Sequence, residues 1–502
     1  MRELKKSFWD FITILGATFL SVPLMVVSEM LQARYLGPSN YGKVALVLSA
    51  ISLLYLFGLS WLRVSIVRFG KKEFLIHGNV RKTTTSFLVN NVFSFFVVTI
   101  LFYIFRNSIF NFLEIKQPTT FWVILFGCLL AIFKNFVFEI LKVIRLIKIQ
   151  VFLQRLVGKV VIFLGMLLFV FNIFNKDINV NYIITIFLIS DLSIVICGFY
   201  FIKTNYIFPL IFDKNLLKKM IIYSYPLFFV AWSSYVVQWI DTYVIKYYMD
   251  LKHVGIYQAA YKIFETLNSF LGAGIVTITY PIIMVFKTKN QTQKIKNLYI
   301  SRLIPQFSFF CMFLVSIIII SSDIIFNLIY SNEYQGSILP FKILIASQNF
   351  TIISSMLTAI ILSYDMTKML SLIGIFAGFL NIIFDIILVE KFGMTGASVA
   401  SLFVFSLVPI YHFYYVNKKF KIKKKMALLF PFVTVFIMLI NISNLSYIIR
   451  ISISTFILIC IIIFTKNFNL FKRNDLELIQ NINMPNFIKK IISNLYFILS
   501  KE

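Results

Sequence analysis

Ten charged side chains lie inside long apolar stretches of this 502-residue chain. A charge at the centre of a membrane-spanning helix costs about 2.5 to 3.5 kcal/mol, so most of these side chains should face a protein interior or a water-filled cavity. There a lysine can hold an anion, and a carboxylate can take up and release a proton or a sodium ion. The ten residues are Glu29, Lys134, Glu139, Asp191, Asp241, Lys262, Glu265, Asp323, Lys342 and Asp385.

Some of these charges have a structural explanation. Lys262 and Glu265 are three residues apart, as are Glu139 and Lys142, and that spacing puts both members of a pair on one helical face. Asp323 lies where its span approaches the outer interface. The remaining charges have no obvious partner in their own helix, so a cavity-facing role and an interhelical salt bridge are both open for Glu29, Lys134, Asp191, Asp241, Lys342 and Asp385.

Composition requires a polytopic membrane protein. Hydrophobic residues make up 60% of the chain and charged residues only 14%, whereas the apolar share of soluble domains is closer to half. Apolar stretches of about twenty residues, long enough to cross a hydrocarbon core of about 30 Å, recur about fourteen times. The fifth begins near Val157. We predict an all-α fold of about 14 transmembrane helices, arranged as two pseudo-symmetric six-helix lobes plus two C-terminal helices.

A repeated turn divides the predicted spans into two halves. The segment 29–47, EMLQARYLGPSNYGKVALV, returns in altered form as 241–260, DTYVIKYYMDLKHVGIYQAA. In both copies an acid ends one helix and a glycine, Gly42 or Gly255, restarts the next. Matching turns indicate a parallel repeat with a substrate cavity between the halves, and chance similarity is the alternative. The predicted domains are 1–219 (helices 1–6), 220–425 (helices 7–12), 426–465 (helices 13–14) and a cytoplasmic tail, 466–502.

The tail after Pro485 has a helical pattern of its own. Isoleucine and leucine recur at helical spacing, with lysine, serine and asparagine on the other side. This pattern predicts an amphipathic helix on the inner membrane surface, and a helix that docks on a partner protein is the alternative.

The basic residues predict the orientation of the chain. With an even number of spans both termini share one side, and that side carries about four times as many Lys and Arg residues as the other, which is typical of the cytoplasm. The same asymmetry explains the net charge of +28, so anionic membrane lipids are the expected partner and nucleic acid is not. The first span has no small-residue cleavage pattern and is expected to stay in place.

Enzyme chemistry finds little support in the sequence. The four cysteines lie in separate apolar stretches and the three histidines are scattered, so neither set has the spacing of a metal site. A phosphate loop of the form GxxxxGK(S/T) is also missing from the sequence. We expect no catalytic residues, no metal and no cofactor.

Four segments along the chain carry information about its family. They are LQARYLGPSNYGKVALVLSAISLL after the first span, YSYPLFFVAWSSYVVQWIDTYVIKYYMDLKHVGIYQAAYKIFETL at the seventh and eighth, IYSNEYQGSILPFKILIAS at the tenth and EKFGMTGASVASLF before the twelfth. In that order they resemble the Wzx-type polysaccharide (O-antigen or capsule) flippases of the multidrug, oligosaccharidyl-lipid and polysaccharide exporter superfamily. The resemblance implies an inner-membrane flippase that moves an undecaprenyl diphosphate-linked oligosaccharide to the outer leaflet by alternating access, for polysaccharide biosynthesis.

The substrate implied by this resemblance gives roles to the buried charges. Fixed cations in a hydrated cavity would lower the cost of moving a diphosphate, and the candidates are Arg34, Lys134, Lys262 and Lys342. A carboxylate that exchanges H⁺ or Na⁺ can bias the balance between two conformations. The candidates for this coupling are Glu29 and Asp241 beside the repeated turn, followed by Asp191 and Asp385. Glycan-assembly proteins are further candidate partners.

Three other functions stay open at this point. A lipid II flippase fits the number of spans equally well. A drug and cation antiporter of the same superfamily would have about twelve spans and an acid-lined pocket without the cations. A membrane-embedded glycan polymerase or ligase should carry its catalytic residues on a long external loop, whereas the external loops of this chain are all short.

Cysteine labelling tests the predicted orientation. After replacement of the four native cysteines by alanine, single cysteines at Ser39, Asn179 and Asn332 should react with a membrane-impermeant maleimide on intact cells. Cysteines at Asn79 and Asn417 should react only after the cells are opened, because basic loops stay in the cytoplasm. The opposite labelling pattern would reverse the orientation.

Overall fold

The chain folds almost entirely into α-helices. The computed structural model describes residues 2–57, 61–114, 119–171, 180–364, 366–421, 426–467, 470–471 and 493–494, and these contain no β-strand. The helices are α1 (Arg2–Tyr55), α2 (Arg81–Ile104), α3 (Arg106–Leu113), α4 (Thr119–Val143), α5 (Ile147–Val170), α6 (Val180–Phe201), α7 (Lys214–Tyr248), α8 (Leu251–Thr288), α9 (Thr292–Ile320), α10 (Ser322–Ile329), α11 (Asn332–Ser363), α12 (Thr367–Phe420), α13 (Leu429–Ile442) and α14 (Tyr447–Asn467). Most of the predicted amphipathic tail, and the labelling position Asn179, lie outside the described residues.

Membrane crossing follows from the length and composition of these helices. Within the described residues, nine helices are long and apolar enough to span a bilayer, which confirms the predicted all-α polytopic fold. Two helices, α1 and α12, contain 54 residues each and would be about 80 Å long if straight, far more than the hydrocarbon core is thick. Both are broken at a glycine with positive φ, Gly37 at 68° and Gly393 at 57°. The number of crossings, about fourteen, stays a prediction.

The start of α5 differs from the prediction. The helical segment begins at Ile147 and runs to Val170, so the helix begins ten residues before the predicted start of the span near Val157. Polar residues such as Gln150 and Gln154 interrupt the apolar pattern in its first half. As a result Lys159, which the orientation count placed with the cytoplasmic basic residues, lies inside a candidate membrane span.

The described chain divides into two compact units, each with its own packing. In unit 1, α4 packs against α1 and α6, and the rings of Phe87 and Phe136 stack at 5.6 Å in its core. In unit 2, α9 packs against α11 and α13. Unit 1 consists of Met1–Thr266, Phe326–Ser337 and Ser371–Ala400, and unit 2 of Leu267–Ile325, Ile338–Leu370 and Ser401–Glu502. The predicted domain boundaries follow the sequence repeat and stay predictions.

The two copies of the repeated turn contact each other within unit 1. A Cβ atom placed on Gly42 would overlap the carbonyl oxygen of Leu251 and lie 2.9 Å from the backbone nitrogen of Gly255. A Cβ atom on Gly255 would overlap the carbonyl oxygen of Pro38. Only glycine leaves room for backbones this close. We call this contact between 37–42 and 251–255 the turn junction.

The start of α8 is fixed by a cap next to the turn junction. Asp250 accepts a hydrogen bond from the backbone nitrogen of His253 at 2.9 Å and contacts the His253 ring at 2.7 Å, which is the pattern of an N-cap. Partial burial would raise the pKa of Asp250, but the hydrogen bonds from His253 outweigh it and lower that pKa below its usual value. The cap holds the first turn of α8, and therefore Gly255, in position.

Alanine substitutions test the turn junction. Gly42→Ala should lower the apparent melting temperature of the purified protein, because overpacking against backbone atoms costs about 1 to 3 kcal/mol. Gly16→Ala is the matched control: a Cβ atom there meets nothing within 4 Å, so it should stabilise the helix by about 0.5 to 1 kcal/mol. Equal melting temperatures for Gly42→Ala and the unsubstituted protein would contradict the close backbone contact.

Candidate functional site

Arg34 binds the end of another helix beside the turn junction. Its Nε donates a hydrogen bond to the carbonyl oxygen of Ile329 at 2.9 Å, and its terminal nitrogen donates to the carbonyl oxygen of Leu328. These carbonyls close α10, where a cation is favourable because the last carbonyls of a helix lack partners. Nearby, the hydroxyl of Tyr334 donates to the carbonyl oxygen of Ala33 at 3.0 Å. Arg34 thus ties α1 to the end of α10.

Glu29 lies in α1, eight residues before the kink at Gly37, and forms a hydrogen bond with a tyrosine. The hydroxyl of Tyr41 donates to its Oε2 at 2.8 Å. The carboxylate is half-buried and lies within electrostatic range of Lys159 and Lys262. The proximity to two lysines from other helices was not visible in the sequence.

Asp241 and Asp385, both predicted as coupling residues, are brought together from α7 and α12. Both are almost completely buried, and the charge of Asp241 acts on Asp385. The hydroxyl of Tyr257 donates to Asp241, and the amide nitrogen of Asn381 donates to Asp385 Oδ2 at 2.8 Å. Asp385 Oδ1 accepts no hydrogen bond from any described residue. Two buried carboxylates within electrostatic range of each other repel when both are charged.

Lys262 is paired with Glu265, as the spacing predicts. Its Nζ lies 2.8 Å from Glu265 Oε2, and it stands 5.3 Å from the centre of the Trp239 ring. The amide nitrogen of Gln238 donates to the other carboxylate oxygen of Glu265 at 2.7 Å. This arrangement partly neutralises Lys262 but leaves its ammonium group two further donors.

Lys134 forms an interhelical salt bridge with Asp191. The distance from Lys134 Nζ to Asp191 Oδ2 is 2.6 Å, and both side chains are 25% exposed. Two of the candidate residues, one cation and one carboxylate, therefore neutralise each other across α4 and α6. Both line a cavity of about 580 Å³, so the cavity-facing role and the salt bridge are realised together.

This space, which we call the N-terminal cavity, is bounded by α1, α4, α5 and α6. Its charged lining includes Arg63, whose Nε lies 3.3 Å from Glu139 Oε1, and Lys142, which is 3.0 Å from the same oxygen. The Glu139–Lys142 pair is the one that the spacing predicts. The further partner Arg63 and the cavity lysine Lys159 were missed, the latter because α5 was predicted to start too late.

Lys342 belongs to unit 2, whereas the other candidates belong to unit 1. It is 3.2 Å from Asp323 Oδ2, and its side chain is only 6% exposed. The carbonyl oxygen of Asn441 accepts from Lys342 at 3.4 Å and from Arg450 at 2.8 Å. These contacts join α10, α11, α13 and α14, so in this structure Lys342 has the interhelical salt bridge that was one of its two open explanations.

Two curated relatives match part of the chain. The probable low-salt glycan biosynthesis flippase Agl15 of Haloferax volcanii is 20% identical over 191 residues, 38% of this chain and 40% of that protein. The uncharacterized membrane protein MJ1068 of Methanocaldococcus jannaschii is 21% identical over 275 residues, 52% of this chain and 51% of that protein. The chain spans about half the length of these relatives or less.

Solved structures match more of the chain, at low identity. The lipid II flippase MurJ in an inward closed conformation gives a TM-score of 0.68 at 19% identity and covers 89% of this chain and 97% of that chain. An inward-facing multidrug resistance MATE transporter of the MOP superfamily gives a TM-score of 0.63 at 14% identity and covers 82% of this chain and 98% of that chain. At such identities the likeness shows a shared fold.

The family itself is shown by a match over more than half of the chain. The model of the polysaccharide biosynthesis protein family covers residues 8–287, which contain the repeated turn and most of the charged site. The resemblance inferred from the four sequence segments is confirmed at this level. The chain therefore belongs to the polysaccharide biosynthesis protein family and has the fold of the MOP superfamily transporters.

Proposed function

We propose that this protein is a flippase that moves an undecaprenyl diphosphate-linked oligosaccharide from the cytoplasmic to the outer leaflet of the inner membrane. The observation that carries the proposal is the group of half-buried lysines within spans of unit 1, because a diphosphate that crosses hydrocarbon needs fixed positive charge. Membership of a polysaccharide biosynthesis family and partial similarity to a glycan biosynthesis flippase support a lipid-linked glycan as substrate.

The four candidate cations divide by their partners. We assign the diphosphate contact to Lys134 and Lys262, since each is paired with only one carboxylate and they share an electrostatic neighbourhood. Arg34 binds helix-end carbonyls and Lys342 binds Asp323 and Asn441. For these two we favour a scaffold role over substrate contact.

Coupling is assigned to the buried carboxylates. A proton or sodium ion between Asp241 and Asp385 would remove their mutual repulsion, and loss of that ion would favour a conformation that separates α7 from α12. Glu29, which contacts Tyr41 across the kink in α1, is the second coupling candidate. Asp191 is engaged with Lys134 and would act through that salt bridge.

Alternating access would use the two predicted lobes, 1–219 and 220–425, as the moving bodies, with both termini in the cytoplasm. A lipid II flippase remains the nearest alternative and is supported by the fold shared with MurJ. A drug and cation antiporter is less favoured, because two half-buried lysines, Lys134 and Lys262, lie directly beside carboxylates.

Reconstitution tests the proposed substrate. Proteoliposomes loaded with an undecaprenyl diphosphate-linked oligosaccharide should expose its terminal sugar to an added glycosidase over time, faster than protein-free liposomes do. Lys134→Ala and Lys262→Ala should slow this exposure while leaving the amount of inserted protein unchanged, because a fixed cation is lost without loss of a span. Exposure at the protein-free rate would refute the proposed function.

The same assay tests ion coupling. Asp241→Asn, Asp385→Asn or Glu29→Gln should retain substrate binding but lose the acceleration produced by an imposed proton or sodium gradient, since the titratable or ion-binding group is gone. Glu390→Gln is the matched control, because Glu390 is exposed on the same helix as Asp385. If all three variants keep the gradient response of Glu390→Gln, coupling lies elsewhere.

A further inference from the structure

Lys159 is a charged side chain inside a span, within electrostatic range of the carboxylates of Glu29 and Glu265. It lies within α5, a candidate membrane span, and is half-buried against the N-terminal cavity. It makes no hydrogen bond and no ion pair with any described residue. An ammonium group in this position is costly unless something in the cavity compensates it.

The charged lining of the N-terminal cavity is not balanced. Four cations and two carboxylates contribute to it, a formal excess of two positive charges among the described lining residues. Asp191 neutralises Lys134, and Glu139 is shared by Arg63 and Lys142. Lys159 therefore carries one of the two excess positive charges. Arg63 and Lys142, which share the single carboxylate of Glu139, carry the other.

The charge and the size of the cavity fit one class of ligand. A diphosphate diester carries one negative charge on each phosphate, which matches the formal excess. Its oxygens accept hydrogen bonds from ammonium and guanidinium groups, which are strong when both partners are charged. The volume of about 580 Å³ is in the range of small-ligand sites, and Gln150 and Gln154 supply further polar groups at the lining.

The position of the cavity suits the start of a transport step. Arg63, Lys142 and Gln150 lie close to where α4 ends at Val143 and α5 begins at Ile147. In the predicted orientation these helix ends face the cytoplasm. A lipid-linked diphosphate in the inner leaflet would meet this end of the cavity first.

We propose that the N-terminal cavity is the loading site for the diphosphate of the substrate, and that Lys159 contacts it there in addition to Lys134. This inference rests on the proposed function for the identity of the lipid-linked ligand. The anion-binding chemistry itself rests only on the cavity. An acidic sugar of the glycan offers a single carboxylate and would leave the second excess charge uncompensated.

Thermal unfolding of the purified full chain with inorganic pyrophosphate tests the site. The unfolding midpoint should rise with pyrophosphate, because a ligand that binds only the folded state stabilises it by mass action. Lys159→Met should need about tenfold more pyrophosphate for the same rise, since a hydrogen bond to a charged group is lost. Without ligand this variant should unfold at the same or a higher temperature, because it removes a half-buried charge that forms no salt bridge with a described residue.

Controls separate the site from general effects of charge. Lys159→Arg should keep the response, and Lys252→Met, which removes an exposed lysine outside the cavity, should respond like the unsubstituted protein. Glucuronate should have a much weaker effect than pyrophosphate. An unchanged response in Lys159→Met, no response in the unsubstituted protein, or an equal response to glucuronate would each overturn the proposal.

The flipping assay distinguishes failure of this inference from failure of the proposed function. If Lys159→Met flips the lipid-linked glycan at the normal rate, the loading site is wrong and the flippase function stands. If the unsubstituted protein binds pyrophosphate through Lys159 but flips no undecaprenyl diphosphate-linked glycan, the anion site stands and the proposed function is wrong.

Discussion

A charged side chain is costly in hydrocarbon, and this cost explains why several of the charges inside the spans of this protein lie next to opposite charges. Within the described residues, Lys134, Lys262 and Lys342 each lie beside a carboxylate, at 2.6, 2.8 and 3.2 Å. Removing one member of such a pair is costly, because the remaining charge then has no compensating charge beside it. A ligand or ion that supplies a replacement charge removes that penalty. Under the proposed function, an anionic substrate or a coupling cation would act on these pairs in this way.

The turn junction adds a second constraint of a different kind. Gly42 and Gly255 bring two backbones into contact without side chains between them, and Arg34 closes the same region by binding the end of α10. Close packing of this type does not stretch gradually, because a small separation of the two backbones removes their van der Waals contact. The repeat in the sequence therefore supplies both halves of this backbone contact.

The sequence predicts the features that depend on local spacing. Membrane spans, the glycine turns and the Lys262–Glu265 pair are visible as periodicity, breaks and a three-residue interval. The Lys134–Asp191 bridge joins residues 57 apart in sequence, and the Asp241–Asp385 pair joins different helices, so both need the tertiary fold. Lys159 was missed for a related reason: the glutamines that line the cavity also interrupt the apolar pattern of α5 and hide its first half.

We propose that the turn junction, which is closed in this structure, opens when the proposed flippase moves its substrate. Spin labels at Ser39 and Lys252, on the two copies of the turn, report its separation by pulsed electron resonance in lipid nanodiscs. We predict a single short distance without substrate and a second, longer population when an undecaprenyl diphosphate-linked glycan and a coupling cation are added, because these ligands bias the conformational balance. An unchanged short distance under every condition, in a labelled protein that still flips its substrate, would contradict the account.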